Sequence, residues 1–194
     1  MLLRGQSIDF KIIEKLCQFV SFEKDLPDYV FSSKHRGIRF FERPILAYEE
    51  MLLEILSSNK RHYDSSVFIS FGIPKSDEHA IFLIDYEKLE LSLSVLRSGF
   101  NTFFEGTVRY PLLISNMNIN WVAFESAYEE LGVLVVEKED QQANEFINEL
   151  TLSSRLAELP IFDCEQFKSD SSSYQDFCGV YGDLVKILGK NYCF

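Results

Sequence analysis

The side chains best suited to acid–base chemistry are three carboxylates close together in the chain, Glu125, Glu129 and Glu130, at the polar centre of the stretch INWVAFESAYEELGVLVVEKE. Two carboxyl groups held near one another repel as anions, so one is pushed towards its protonated form and can serve as an acid beside a basic neighbour. The alternative for all three is plain solvation in or beside a turn. The histidines His35, His62 and His79 stand in unrelated polar contexts and are expected on the surface or in loops. A nucleophile needs a base and an orienting group, and no GxSxG elbow, GxGxxG, GxxxxGK[ST] or HExxH pattern occurs.

The cysteines Cys17, Cys164, Cys178 and Cys193 form no CxxC and no Cys/His spacing suited to zinc, and a chain of 194 residues can build a core without disulfide staples. Reduced thiols are therefore expected. Cys178, within FCGVYG, reads as a small buried side chain, and Cys193 in NYCF is not placed as a prenylation signal requires. No catalytic residue, metal ligand or cofactor-binding residue is assigned on these grounds.

The elements that must position these groups follow from hydrophobic spacing. Ser7, as N-cap, precedes Ile8, Ile12, Leu16, Phe19 and Val20 on one helical stripe ending near Phe22. Pro44 suits a first helical position, with Ile45, Tyr48, Leu52, Ile55 and Leu56 following until SSNK at 57–60. VFISF at 67–71 and AIFLI at 80–84 are short β-branched and aromatic runs and predict two buried strands. LELSLSV at 89–95 alternates as a half-buried strand does, although Leu89, Leu93 and Leu96 also serve a helix face. From Ile119 two apolar stretches flank the acidic middle. This favours a hairpin bending near Glu125 to Ala127, with a short helix across FESAYEEL, closed by Gly132, as the rival.

Ala143, Phe146, Ile147 and Leu150 specify a further helix, and Phe177, Tyr181, Leu184 and Leu188 a last one before Gly189, with Ser173 and Asp176 as a weakened capping box. Trp121, the only tryptophan, lies in an apolar strand and is expected in the core. No repeat or linker divides residues 1–194. The expected fold is a single α+β domain: a central, mainly antiparallel sheet, covered on one face by helices from both ends of the chain.

Charge narrows the partner. With 19 Lys+Arg against 30 Asp+Glu the net charge is −11, which opposes unaided binding to phosphate backbones. The acidity is regional: residues 1–62 hold 10 basic and 9 acidic side chains, whereas residues 125–149 carry Glu125, Glu129, Glu130, Glu137, Glu139, Asp140, Glu145 and Glu149 against Lys138 alone. Gathered on one side, such a surface raises the encounter rate with a basic protein, an effect that weakens with salt. Added solubility is the simpler role for the same charge. The start MLLRGQSIDF lacks the apolar core of a signal peptide and no apolar run approaches a bilayer span, so the protein is expected in the cytoplasm without a membrane partner.

The segment Asn120-Trp121-Val122-Ala123-Phe124-Glu125-Ser126, then Tyr128-Glu129 and Gly132-Val133-Leu134-Val135-Val136, resembles a hairpin of small bacterial immunity proteins from polymorphic-toxin and contact-dependent inhibition systems. The resemblance covers about 17 residues of the 194, and the chain departs from the pattern in carrying Glu130-Leu131 before Gly132. It implies a cytoplasmic, acidic, non-enzymatic α+β domain that needs no cofactor and binds a cognate toxin domain, often a nuclease. The partner-binding residues expected from charge and resemblance together are Glu125, Tyr128, Glu129, Glu130, Glu137, Glu139 and Asp140. The rival readings are a small enzyme using a pair of the carboxylates Glu125, Glu129 and Glu130, and a regulatory adaptor for some other basic protein.

Overall fold

In the computed structural model the described residues are 2–3, 10–34, 37–72, 80–105, 111–137, 140–157, 159–169 and 174–193. The centre of the chain is governed by strand periodicity. The strands β1 (Leu2–Leu3), β2 (Ile38–Glu42), β3 (Val67–Phe71), β4 (Ala80–Leu83), β5 (Leu112–Asn116), β6 (Trp121–Glu125), β7 (Leu131–Val136) and β8 (Ile161–Phe162) form one sheet in the order β1-β4-β3-β5-β6-β7-β2-β8. Every neighbouring pair is antiparallel. The two edge strands are two residues long, which leaves little open ladder for another chain to extend.

Strands β3, β5, β6 and β7 are buried at every position, because both faces of the sheet are covered. Alternate side chains divide into two cores. On one face Phe41, Ile69, Ile114, Trp121, Ala123 and Leu134 meet three helices, α2 (Glu49–Tyr63), α3 (Leu89–Glu105) and α4 (Gln141–Ala157). On the other, Phe40, Phe68, Leu113, Val122, Phe124 and Val133 meet α1 (Phe10–Phe19) and a C-terminal segment containing α5 (Tyr174–Tyr181) and α6 (Leu184–Leu188). The α+β domain with its antiparallel sheet is therefore as expected, but helices cover both faces and not one. Uninterrupted apolar runs such as VFISF require exactly that, since a one-sided sheet would present half of each run to water.

Four local expectations are corrected. Residues 89–95 are not a strand but the start of α3: Leu93 and Leu96 are buried at helical spacing, whereas Leu91, which strand alternation would place beside Leu93, is 60% exposed. Pro44 does not open α2, which begins at Glu49 after a 3₁₀ turn (Ile45–Ala47) and runs through SSNK, burying Ser58 and Asn59. The last helix is divided, because Gly182 adopts φ +58° between α5 and α6. Cys164 and Cys193 are joined in a disulfide with Cα atoms 5.5 Å apart, while Cys17 and Cys178 are partly buried and outside any disulfide. The pairing follows from folding the C-terminal segment back on itself, which places residues 29 apart side by side. The Ser7 cap and the Ser173 capping box lie outside the described residues. Among those residues no helix is long and apolar enough to cross a membrane.

Candidate functional site

The β6–β7 hairpin places its five-residue connection, 126–130, at one end of the sheet, in the register Glu125 opposite Gly132. The connection is a loop and not a short helix. Three groups hold its backbone. The buried Ser126 hydroxyl accepts from the amides of Tyr128 (3.1 Å) and Glu129 (2.9 Å), closing a local side-chain turn. Asp25, from the α1–β2 connection, accepts from the Ala127 amide at 2.8 Å. Arg43, just past β2, donates from Nη1 to the carbonyls of Ser126 (2.9 Å) and Glu129 (3.1 Å), and its own amide donates to the Glu130 carbonyl at 3.1 Å. A loop fixed at this many points projects Tyr128 into solvent, 85% exposed, and follows it with the partly exposed Glu129 and the exposed Glu130.

The same end of the sheet carries further acidic and aromatic groups, because β2 pairs with β7 and brings Glu42 opposite Leu131. The Glu42 carboxylate accepts from the Tyr48 hydroxyl at 2.9 Å and from the Tyr181 hydroxyl at 2.6 Å. Both phenols are held neutral: the hydrogen bond to Glu42 and burial raise Tyr48, and burial followed by the bond to Glu42 raises Tyr181, with the Glu130 charge adding to both. Glu42, Glu130, Tyr48, Tyr128 and Tyr181 thus share one end of the molecule.

The predicted partner residues do not form one face. Glu125 is fully buried and its carboxylate accepts from the Ile45 amide at 2.8 Å, so it is a structural group and not a contact. Glu137 and Asp140 follow β7 at its far end, about 20 Å from the hairpin loop for a six-residue strand. Glu137 pairs with Lys15 at 3.4 Å, and Asp140 caps α4 by accepting from the Ala143 amide at 2.9 Å. Glu139 lies outside the described residues. The reason is topological: a hairpin reverses the chain, so acids on either side of β7 stand at opposite ends of it. Glu149 is also engaged, with His62 at 2.6 Å and with Arg61. His62 is accordingly not a loop histidine but a partly buried link between α2 and α4, and His35 and His79 lie outside the described residues.

Of the predicted set the structure groups Tyr128, Glu129 and Glu130. It adds Glu42, Tyr48 and Tyr181, for which local sequence holds no signal, since only strand pairing and the C-terminal fold bring positions 42, 48, 130 and 181 together. Of the three carboxylates of the acid–base alternative, Glu125 lies in the core, apart from Glu129 and Glu130, which adjoin one another in the loop. Among the described residues no group of three or more His, Cys, Asp or Glu side chains is arranged to hold a metal ion. The arrangement is suited to docking: a preorganised loop presents aromatic and anionic groups without having to order on contact. No protein-family model, no curated protein and no solved structure matches the chain.

Proposed function

We propose that this is a non-enzymatic immunity-type protein that acts in the cytoplasm and neutralises a cognate bacterial toxin domain by binding it. The observation that carries the reading is the clamped hairpin loop, with Tyr128 85% exposed and followed directly by Glu129 and Glu130. Tyrosine is enriched among the few residues that dominate interface energies, and anions around it favour encounter with a basic surface such as a nuclease's substrate groove. The resemblance of residues 120–136 to immunity-protein hairpins supports the same reading. Occupying that groove or its rim blocks a toxin without any catalytic group on the inhibitor. A standard interface of about 1,200–2,000 Å² would extend from the loop across Glu42, Tyr48 and Glu130.

The test is co-expression with any toxin domain encoded next to this gene, in a bacterial host sensitive to that toxin. The expected result is restored growth and a purified complex, both lost in a Tyr128→Ala/Glu130→Lys variant that keeps the wild-type Tm. Absence of protection by the wild-type chain, or undiminished protection by the variant, would overturn the proposal.

A further inference from the structure

We propose that Cys164 and Cys193 are a thiol–disulfide latch whose closure locks residues 164–193 onto the sheet and whose opening releases them while the sheet stays folded. The latch does not rest on the partner reading, although Tyr181 of the candidate site lies within it. Its two cysteines flank two separate anchors on one ring: Phe167, in the turn begun by Cys164, packs on Phe40 at 4.4 Å, and Tyr192, beside Cys193, meets Phe40 at 5.7 Å. Tyr192 also donates to the Asp28 carbonyl at 2.7 Å and accepts from the Val30 amide at 3.1 Å, so the π-helical turn Gly189–Cys193 holds the 28–30 segment in place. Between the anchors the segment is least secured at α5. The hold is uneven: α6 buries Val185 and Leu188 in the core, whereas α5 has only partly buried residues such as Phe177 and Tyr181, and Gly182 interrupts it from α6.

The disulfide converts the two anchors into one unit. With it open, each must hold alone, and elements with few buried apolar contacts are those that open locally. Both cysteines are partly exposed and so reachable by small thiols. Closure proceeds by exchange with a small-molecule disulfide such as oxidised glutathione. One cysteine thiolate attacks the glutathione disulfide and releases one glutathione, and the second cysteine displaces the other from the mixed disulfide. The two protein thiols lose two electrons and two protons, which appear in two reduced glutathiones. In the proposed cytoplasmic setting thiol reductants keep such a pair open, so the latch closes on oxidative challenge.

Hydrogen exchange read by mass spectrometry tests this on the full chain, equilibrated in oxidised or in reduced glutathione, with peptide mapping of the disulfide. In the reduced protein, amides in 174–193 and 28–32 are expected to exchange about tenfold faster or more, with β3, β5, β6 and β7 unchanged. A Cys17→Ser/Cys178→Ser protein should keep the response, and Cys164→Ser/Cys193→Ser should exchange fast in both buffers. Reduced, alkylated wild type provides the open state if the latter does not fold. Equal exchange in both buffers, acceleration spread evenly over the sheet, or mapping to another cysteine pair would overturn the latch.

Discussion

The Glu125 carboxylate accepts the Ile45 amide at 2.8 Å, joining the last residue of β6 to the turn that leads into α2. The group is fully buried, so removing it leaves an amide without that acceptor inside the core. Glu125→Ala is expected to cost about 2–4 kcal/mol, combining the lost acceptor with the cavity, whereas Glu125→Gln keeps an acceptor oxygen and costs about 1 kcal/mol. Urea denaturation at neutral pH measures both, and an Ala variant as stable as wild type would show that the carboxylate has no structural role.

Asn59 is the hub of a second buried polar network. Its Oδ1 accepts from Trp121 Nε1 (2.9 Å) and Asn116 Nδ2 (3.1 Å), and its Nδ2 donates to the Ser65 carbonyl (2.6 Å) and the Tyr86 hydroxyl (3.0 Å). All four positions of the amide are used, so Asn59→Leu removes at once the bonds that tie α2 to Ser65, to Tyr86, to Asn116 on β5 and to Trp121 on β6. A loss of about 3 kcal/mol or more is expected. Trp121 is the sole tryptophan and fully buried, and its emission should shift to the blue as its N–H loses its acceptor to an apolar side chain. An unchanged spectrum with an unchanged urea midpoint would refute this role for Asn59.

Gly132 serves the sheet by what it lacks. A Cβ there would lie 2.2 Å from Cζ of Phe41 and 2.8 Å from the Phe124 carbonyl oxygen. Gly132→Ala is therefore expected to destabilise by about 1–3 kcal/mol through overpacking. Shortening the opposing ring with Phe41→Leu should recover part of that loss relative to the sum of the single changes, and a double-mutant cycle showing strict additivity would exclude the contact as the cause.

Gly132 also illustrates how far the fold was legible in the chain. As a local signal it suits the end of a helix as well as a strand, and only the ring of Phe41 above it explains its place. The strands at 67–71 and 80–83 and the hairpin of β6 and β7 were readable because short apolar runs bounded by polar breaks have few other uses. The 89–95 segment fits both periods, and the helical one wins because its stripe continues through Leu96 to Phe100. The candidate site was readable only in part. Tyr128, Glu129 and Glu130 are consecutive, but Glu42, Tyr48 and Tyr181 join them through pairings that span the chain. Local text also cannot distinguish an acid in water from one such as Glu125 turned into the core.

Alkaline stability should fall in a defined window. The Tyr63 hydroxyl is buried with no hydrogen-bond partner among the described residues, and burial, aided by the Asp140 charge, pushes its pKa up to about 12. An unfolded tyrosine ionises near pH 10. Because the fold disfavours the phenolate, this contribution is complete below pH 10 and is lost as pH rises from 10 to 12. Tyr63→Phe should lessen the decline across that interval, leaving the part due to other raised tyrosines such as Tyr181 and Tyr192. At pH 7 it should equal wild type or exceed it by up to about 1 kcal/mol, since an unpartnered hydroxyl is removed. Parallel slopes for the two proteins between pH 10 and 12 would refute the assignment.

The docking reading makes separate claims about the rate of association and the lifetime of the complex. Glu129 and Glu130 lie at the exposed base of the loop, where charges act at a distance, so Glu129→Lys/Glu130→Lys should lower the association rate with a basic toxin domain by about tenfold and flatten its dependence on salt. Tyr128 acts on contact. Tyr128→Ala should leave the association rate within about threefold and raise dissociation, by about 2 kcal/mol or more if the ring fills a pocket at the centre of the interface. Glu137→Lys and Asp140→Asn, at the far end of β7, should alter neither lifetime nor salt slope beyond what the change in net charge produces. Stopped-flow measurements across a range of salt concentrations separate the effects. A larger loss from the far-end changes than from the loop changes would move the interface away from the hairpin loop and remove the physical basis of the proposal.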